Sequence, residues 1–328
     1  PGETACSLAL ANMTGANRLL IGIGWSLVVL LAWFRSRTRP SGRLTEIRLD
    51  RPHAVEVSFL ALATLYSLSL PLKGSITLLD AAVLVGIFAA YTWRISRAPA
   101  EEPHLVGPAR LIGTFRVRRR RLSVLGMFLF AAAVIVACAE PFADSLVQTG
   151  RQLGISEFLL VQWLAPLASE APELLVAGLY AWRLNTNAGL GTLVSSKVNQ
   201  WTLLVGTLPI VFALASSGAA GLPIDAHQRE EILLTAAQSF FALAVLASLS
   251  ISVREALMLF TLFWAQFIIG AVVPESAGGL ERIIVSGAYL VLGLVLFVRQ
   301  APLIGSLLRD GLRTSYETLN ARSGSEGP

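Results

Sequence analysis

The sequence predicts an all-α polytopic membrane protein with about nine transmembrane helices. Three observations carry this. Hydrophobic residues make up 54% of the 328 and charged residues only 14%, where a soluble domain carries roughly 25% charge. The mean hydropathy is +0.65. The apolar residues also fall in long runs, and a membrane-spanning helix needs ~20 predominantly apolar residues.

Nine runs qualify: about 5–34, 54–71, 75–95, 122–147, 155–182, 188–215, 231–250, 254–273 and 281–298. The first contains Asn12, Gly15 and Asn17, and the fifth contains Pro166, Glu170, Pro172 and Glu173. Both exceed a simple span, and internal Pro and Gly positions predict kinked or broken helices. In the fourth, Glu140-Pro141 and Asp144 predict a kink near the outer end. The chain opens on Pro1 with no basic stretch before its first apolar run. No signal peptide is expected, and the chain reads as starting inside a helix with its leading helices absent.

The connectors orient the spans. Residues 35–51 hold Arg35, Arg37, Arg39, Arg43, Arg48 and Arg51, and residues 94–121 hold Arg94, Arg97, Arg110, Arg116 and the run Arg118–Arg121. Two spans separate these loops, and the turn between the spans carries only Lys73. The positive-inside rule places both arginine loops in the cytoplasm. The same alternation puts Arg183, Arg254 and the tail arginines inside. Arg151 and the loops 225–231 and 275–282 fall outside. Residues 303–328 read as a short amphipathic stretch and a disordered tail.

The pI near 9.7 therefore reports membrane orientation, and no nucleic-acid partner is expected. Cys6 and Cys138 lie in apolar runs and read as buried thiols, with no metal or redox spacing. His53, His104 and His227 sit in loops. No motif of a soluble enzyme is present, so no enzymatic activity and no cofactor are expected. The partners implied are the lipid bilayer and transported ions. The oligomeric state is left open.

Ionisable groups inside a bilayer cost ~2.5–3.5 kcal/mol each, and so mark function. In the fifth run Glu170 and Glu173 lie three apart, on one helical face. Pro172 has no N–H to offer the preceding turn. With Ser169 and the freed carbonyls, the carboxylates form a set of hard oxygen ligands suited to Na⁺ or Ca²⁺. The sixth run packs Ser195, Ser196, Lys197, Asn199, Gln200 and Thr202 into an apolar segment. Lys197 needs an anionic partner, for which Glu170 or Glu173 is the candidate. Its ammonium then stands where a metal cation would otherwise sit. The first run offers Asn12, Thr14 and Asn17 as neutral oxygens. Arg18 reads equally as a second buried cation or as a snorkelling one.

The polar cluster of residues 11–22 recurs weakly in 196–206, each followed by an aliphatic run and a glycine. The first span runs inward and the sixth outward, as an inverted repeat requires. The chain here resembles the sodium/calcium exchanger superfamily, whose repeats carry a Gly-Thr-Ser-x-Pro-Glu-type and then an Asn-x-x-Gly-Ser-Asn-type motif. Ala168–Glu173 is similar to the first, most closely at Pro172 and Glu173, and Asn12–Asn17 to the second. Glu170 replaces the motif serine, and Ser196-Lys197-Val198-Asn199-Gln200 stands where the second asparagine motif belongs.

The resemblance implies an inverted-repeat exchanger-like bundle. Residues 1–95 are the remainder of a first half, 96–121 a basic cytoplasmic loop, 122–300 a second half and 301–328 a cytoplasmic tail. It implies secondary cation antiport (Ca²⁺/Na⁺ or Na⁺/H⁺) by alternating access in a cell inner membrane. The ion is carried by Glu173 and Glu170, with Ser169, Asn12, Asn17 and Asn199 assisting, and Lys197, Pro172 and Ser196 modulate the site. A lysine there opposes multivalent cations by charge repulsion. A non-transporting sensor or scaffold derived from the same fold stays open as an alternative.

Overall fold

A computed structural model describes residues 2–37, 42–99, 108–154, 157–216, 218, 221–273 and 275–325. Arg39, His104 and the start of the fifth run lie outside these. The chain forms two compact units, residues 99–160 and the remainder.

The smaller unit holds α5 (Pro108–Gly113) and α6 (Val117–Leu153). Its residues Val117–Phe142 are apolar enough to span a membrane. α6 continues through Pro141 without a break. Cys138, expected as a buried thiol, is exposed on it.

The larger unit contains two sets of elements in the same order. The first is α1 (Gly2–Leu19), a π-helical turn (Leu20–Trp25), α2 (Ser26–Ser36), β1 (Glu46–Arg48), α3 (Ala54–Ser67), β2 (Ser75–Ile76) and α4 (Leu78–Ile95). α7 (Glu157–Ser169) and α8 (Ala171–Trp182) follow. The second set is α9 (Thr186–Asn199), a π-helical turn (Gln200–Leu204), α10 (Val205–Ala215), β3 (Leu222–Pro223), α11 (Ala226–Leu246), β4 (Ser250–Ser252) and α12 (Val253–Val272). α13 (Glu275–Arg299), α14 (Ala301–Leu312) and α15 (Tyr316–Ser325) close the chain.

The two sets pack as exchanged partners. α12 lies on the first π turn and α4 on the second; α1 packs on α11 and α9 on α3; α2 meets α12 and α10 meets α4. The strands behave alike. β1 pairs antiparallel with β4 through Ile47↔Ile251, and β2 pairs with β3 through Ile76↔Leu222. This is the inverted-repeat bundle. α7–α8 has no counterpart among the described residues of the first set.

Local chemistry sets the helix starts. Thr77 with Asp80, Asp225 with Gln228 and Ser252 with Glu255 form reciprocal capping boxes before α4, α11 and α12, each satisfying two orphan N-terminal donors. Seven described segments are long and apolar enough to cross a membrane. The other two of the nine expected spans differ in kind. The fifth run is broken at Glu170 into α7 and α8. The seventh is α11, which starts at Ala226 rather than 231 and takes Glu230 and Glu231 into its body. The loop expected at 225–231 is therefore helical from Ala226, and Glu231 is buried.

The tail, expected as a disordered stretch, is helical over Ala301–Leu312 and Tyr316–Ser325, and residues 326–328 lie outside the described residues. Ser58 Oγ on α3 donates to Leu307 O at 3.2 Å. Buried Asp310 accepts from Arg322 Nη1 at 2.9 Å and from Thr314 Oγ1 at 3.0 Å, with Arg51 Nη1 at 3.9 Å. Arg94 covers Tyr316 at 5.0 Å and donates to Gly311 O at 3.2 Å. Asp310→Ala removes the acceptor that draws these groups together. Because Arg51 and Arg322 reach solvent, the expected result is faster tryptic cleavage after Arg313 and Arg322 at an unchanged global melting temperature.

Candidate functional site

The helix break comes first. Pro172 lies in the opening turn of α8, so Ala168 O has no N–H four residues on to accept from. The chain bridges the gap with Glu170 N donating to Pro166 O at 2.8 Å and Leu174 N donating to Glu170 O at 3.0 Å. Glu170 caps α8 and Glu173 falls in its first turn, where a helix N-terminus favours negative charge.

Glu170 has Glu173, Gln200 and Lys197 as its electrostatic neighbours. Glu170 Oε2 and Glu173 Oε2 are buried without a hydrogen-bond partner among the described residues, as is Asn12 Oδ1. Gln200 lies against Glu170, and neither of its amide atoms has a well-formed hydrogen bond there. Buried acceptors of this kind cost about 1–3 kcal/mol each unless something fills the space between them.

Lys197 is fully buried. Its expected salt bridge to Glu170 or Glu173 is not what holds it. Nζ donates instead to Asn17 O at 2.7 Å and Asn17 Oδ1 at 2.8 Å. The amide of Asn17 is oriented by its own Nδ2, which donates to Met13 O at 3.0 Å. Glu170 supplies longer-range compensation to the lysine.

Arg18 is buried, not snorkelling. Nη2 pairs with Glu231 Oε2 at 2.7 Å, and the guanidinium lies 4.9 Å from the Trp163 ring. Gln162 Nε2 donates to the same carboxylate oxygen at 2.7 Å. Arg282 Nη1 lies 3.8 Å from Glu231 Oε1, and its Nη2 pairs with Glu230 Oε2 at 2.9 Å. Gly15, on the turn before, lets α1 close onto α7: a Cβ there would fall 1.7 Å from Gln162 O.

The structure thus brings Asn17, Lys197, Glu170, Glu173 and Gln200 together where the two sets meet. It does not bring in Asn199 or Ser169, whose residues are exposed; Ser169 Oγ donates to its own Pro166 O at 3.3 Å. Pro172 is exposed and Ser196 half-buried. Glu231 was missed, and Gln200 was placed in the polar cluster of the sixth run without a role of its own. A signal for Glu231 existed: Glu231, Thr235, Gln238 and Ser239 form one polar stripe at helical spacing in an otherwise apolar helix,.

The sequence profile described as sodium/calcium exchanger protein matches residues 2–96 and 123–271. The chain belongs to the sodium/calcium exchanger family. The crystal structure of an H⁺/Ca²⁺ exchanger, CAX, is similar with a TM-score of 0.85 at 43% identity, covering 96% of this chain and 77% of that one. The sodium-calcium exchanger NCX_Mj, soaked with Na⁺ and Sr²⁺, gives 0.52 at 18% identity over 83% of this chain and 78% of its own; at that identity the likeness is one of fold alone. Human and mouse sodium/potassium/calcium exchanger 2 are each 31% identical over 85 residues, 26% of this chain. That match spans 13% of the relatives' length. As a family member the chain is a multi-pass membrane protein, and its broken α7–α8 pair and two π turns sit where the repeats meet. π turns interrupt helices mostly at functional sites.

Proposed function

We propose that the chain is a secondary active cation antiporter working by alternating access, with competing cations and protons taken up at Glu173 and Glu170. One observation carries this reading. Two carboxylates at a helix break each have a buried oxygen without a hydrogen-bond partner among the described residues, beside a polar cluster between inverted repeats, and a cation or a proton satisfies them. Broken helices at a repeat interface are a recurrent way to present oxygens to ions. The likeness to an H⁺/Ca²⁺ exchanger supports a proton as one of the exchanged ions, since a carboxylate accepts either. The reading extends to a cell inner membrane, with the arginine loops 35–51 and 94–121 cytoplasmic. Residues 1–95 and 122–300 are its two halves. No enzymatic step is assigned.

The test is flux in proteoliposomes under imposed Na⁺, Ca²⁺ and pH gradients. Wild-type protein is expected to couple cation movement to an opposing gradient, and Glu173→Gln to fall to the level of empty liposomes. Undiminished flux in Glu173→Gln sinks the site assignment. Folded protein that moves no cation under any gradient favours the scaffold reading, in which the Asn17–Lys197 contact locks the bundle.

A further inference from the structure

Lys197 occupies a position defined by the repeat. The first π turn starts at Leu20, three residues after Asn17, and the second at Gln200, three residues after Lys197. Aligned on these turns, Asn12-x-x-Gly15-Ala16-Asn17 faces Thr192-x-x-Ser195-Ser196-Lys197. Lys197, not Asn199, is therefore the second repeat's counterpart of Asn17. The two equivalent residues touch, with the ammonium of one held by both oxygens of the other.

We propose that the chain fills one cation seat of its transport pocket with its own Lys197 ammonium, so that the pocket exchanges a monovalent cation or a proton rather than a divalent ion. This rests on the cation-antiport reading above and names its substrate class. The seat is already built. Asn17 is fully buried and its amide is fixed by Met13 O, so Oδ1 and the main-chain carbonyl both point at Nζ. Neutral side-chain and backbone oxygens are the ligands a hard cation takes, and here an ammonium takes them.

The charges close on the same answer. The charged groups facing Lys197 are Glu170 and Arg18, and Glu173 faces Glu170. Arg18 is matched by Glu231. The ammonium of Lys197 thus offsets part of the negative charge that Glu170 and Glu173 present to a cation. A divalent ion at Glu170 and Glu173 meets twice the repulsion from Lys197 that a monovalent ion does, in an interior that salt screens little. Gln200, only 4% exposed and lacking a well-formed hydrogen bond among the described residues, lies against Glu170.

The test compares wild type, Lys197→Asn, Lys197→Met and Lys197→Arg as purified full-length protein, by calorimetric titration with CaCl₂ and NaCl. Lys197→Asn restores the residue of the other repeat, removing the charge and supplying an oxygen. Its Ca²⁺ affinity is expected to rise at least ~tenfold over wild type. Lys197→Met removes only the charge and should rise less, and Lys197→Arg should stay at the wild-type value. Ca²⁺ affinities for the asparagine and methionine variants within about twofold of wild type overturn the proposal, well inside the electrostatic effect expected. If Lys197→Asn does not fold, Lys197→Met decides alone. A Glu173→Gln/Lys197→Asn variant separates the two claims. Loss of the gained Ca²⁺ binding supports both; retention places the ion away from Glu173, which sinks the antiport site while leaving the lysine's exclusion of Ca²⁺ standing.

Discussion

Gly15→Ala should dismantle the site. The new Cβ would lie 1.7 Å from Gln162 O, 2.7 Å from Gln162 C and 2.9 Å from Pro166 Cγ. The first two are backbone atoms on α7 and cannot rotate away. Helices in membranes gain much of their association from small residues that let backbones approach, so α1 and α7 must part by more than an ångström. Overpacking of this kind costs about 1–3 kcal/mol or more. The functional effect is larger, because α1 carries Asn17 and Arg18 while α7 carries Gln162 and leads into Glu170. A displacement of ~1 Å at reacting groups can cost ~10²-fold in rate. The expected result is near-complete loss of flux with a lowered melting temperature. Gly86→Ala is the control, because nothing lies within 4 Å of its Cβ position. It should be neutral or slightly stabilising, as alanine is the better helix former. A Gly15→Ala protein with wild-type flux would show that α1 and α7 are not held in this apposition.

Arg18→Met should be the most destabilising single change at the buried ion pair. Arg18 and Glu231 are 1% and 7% exposed at their side chains and 2.7 Å apart. Removing the guanidinium leaves the carboxylate buried, with Gln162 and a distant Arg282 as its remaining partners. Breaking one side of a buried pair costs about 3–5 kcal/mol, whereas replacing both sides by apolar groups is often neutral. The double substitution Arg18→Met/Glu231→Leu should therefore recover much of the loss in a thermal melt in detergent. Equal or additive losses in the single and double variants would mean that the two side chains do not act as a pair.

The lateral organisation of the chain was legible from one dimension. Apolar runs of spanning length, broken by Asn12, Gly15 and Asn17 in one place and by Pro166, Glu170, Pro172 and Glu173 in another, mark where helices cross and where they fail. The reason is energetic: lipid offers backbone and charge no partners, so departures from apolar sequence stand out. The repeat was visible only faintly, because side chains diverge while packing order persists. Asn199, expected in the site, is exposed, and Lys197 takes the register position of Asn17. A shift of two residues along a helix turns a side chain to another face, and only the paired π turns set the register.

Composition and the long apolar runs determined that this is a many-spanned membrane protein, because insertion into lipid acts on each segment locally, and the Pro-Glu break carried the resemblance to the exchanger family. Which groups meet inside that bundle was decided by tertiary structure alone. Lys197 finds Asn17, 180 positions away, rather than the nearer carboxylates. Glu231, at a helix start that reads as a loop, becomes the partner of Arg18. Such pairings depend on how closely backbones approach, as Gly15 and Gln162 do, and that distance is set by the whole fold rather than by any one segment.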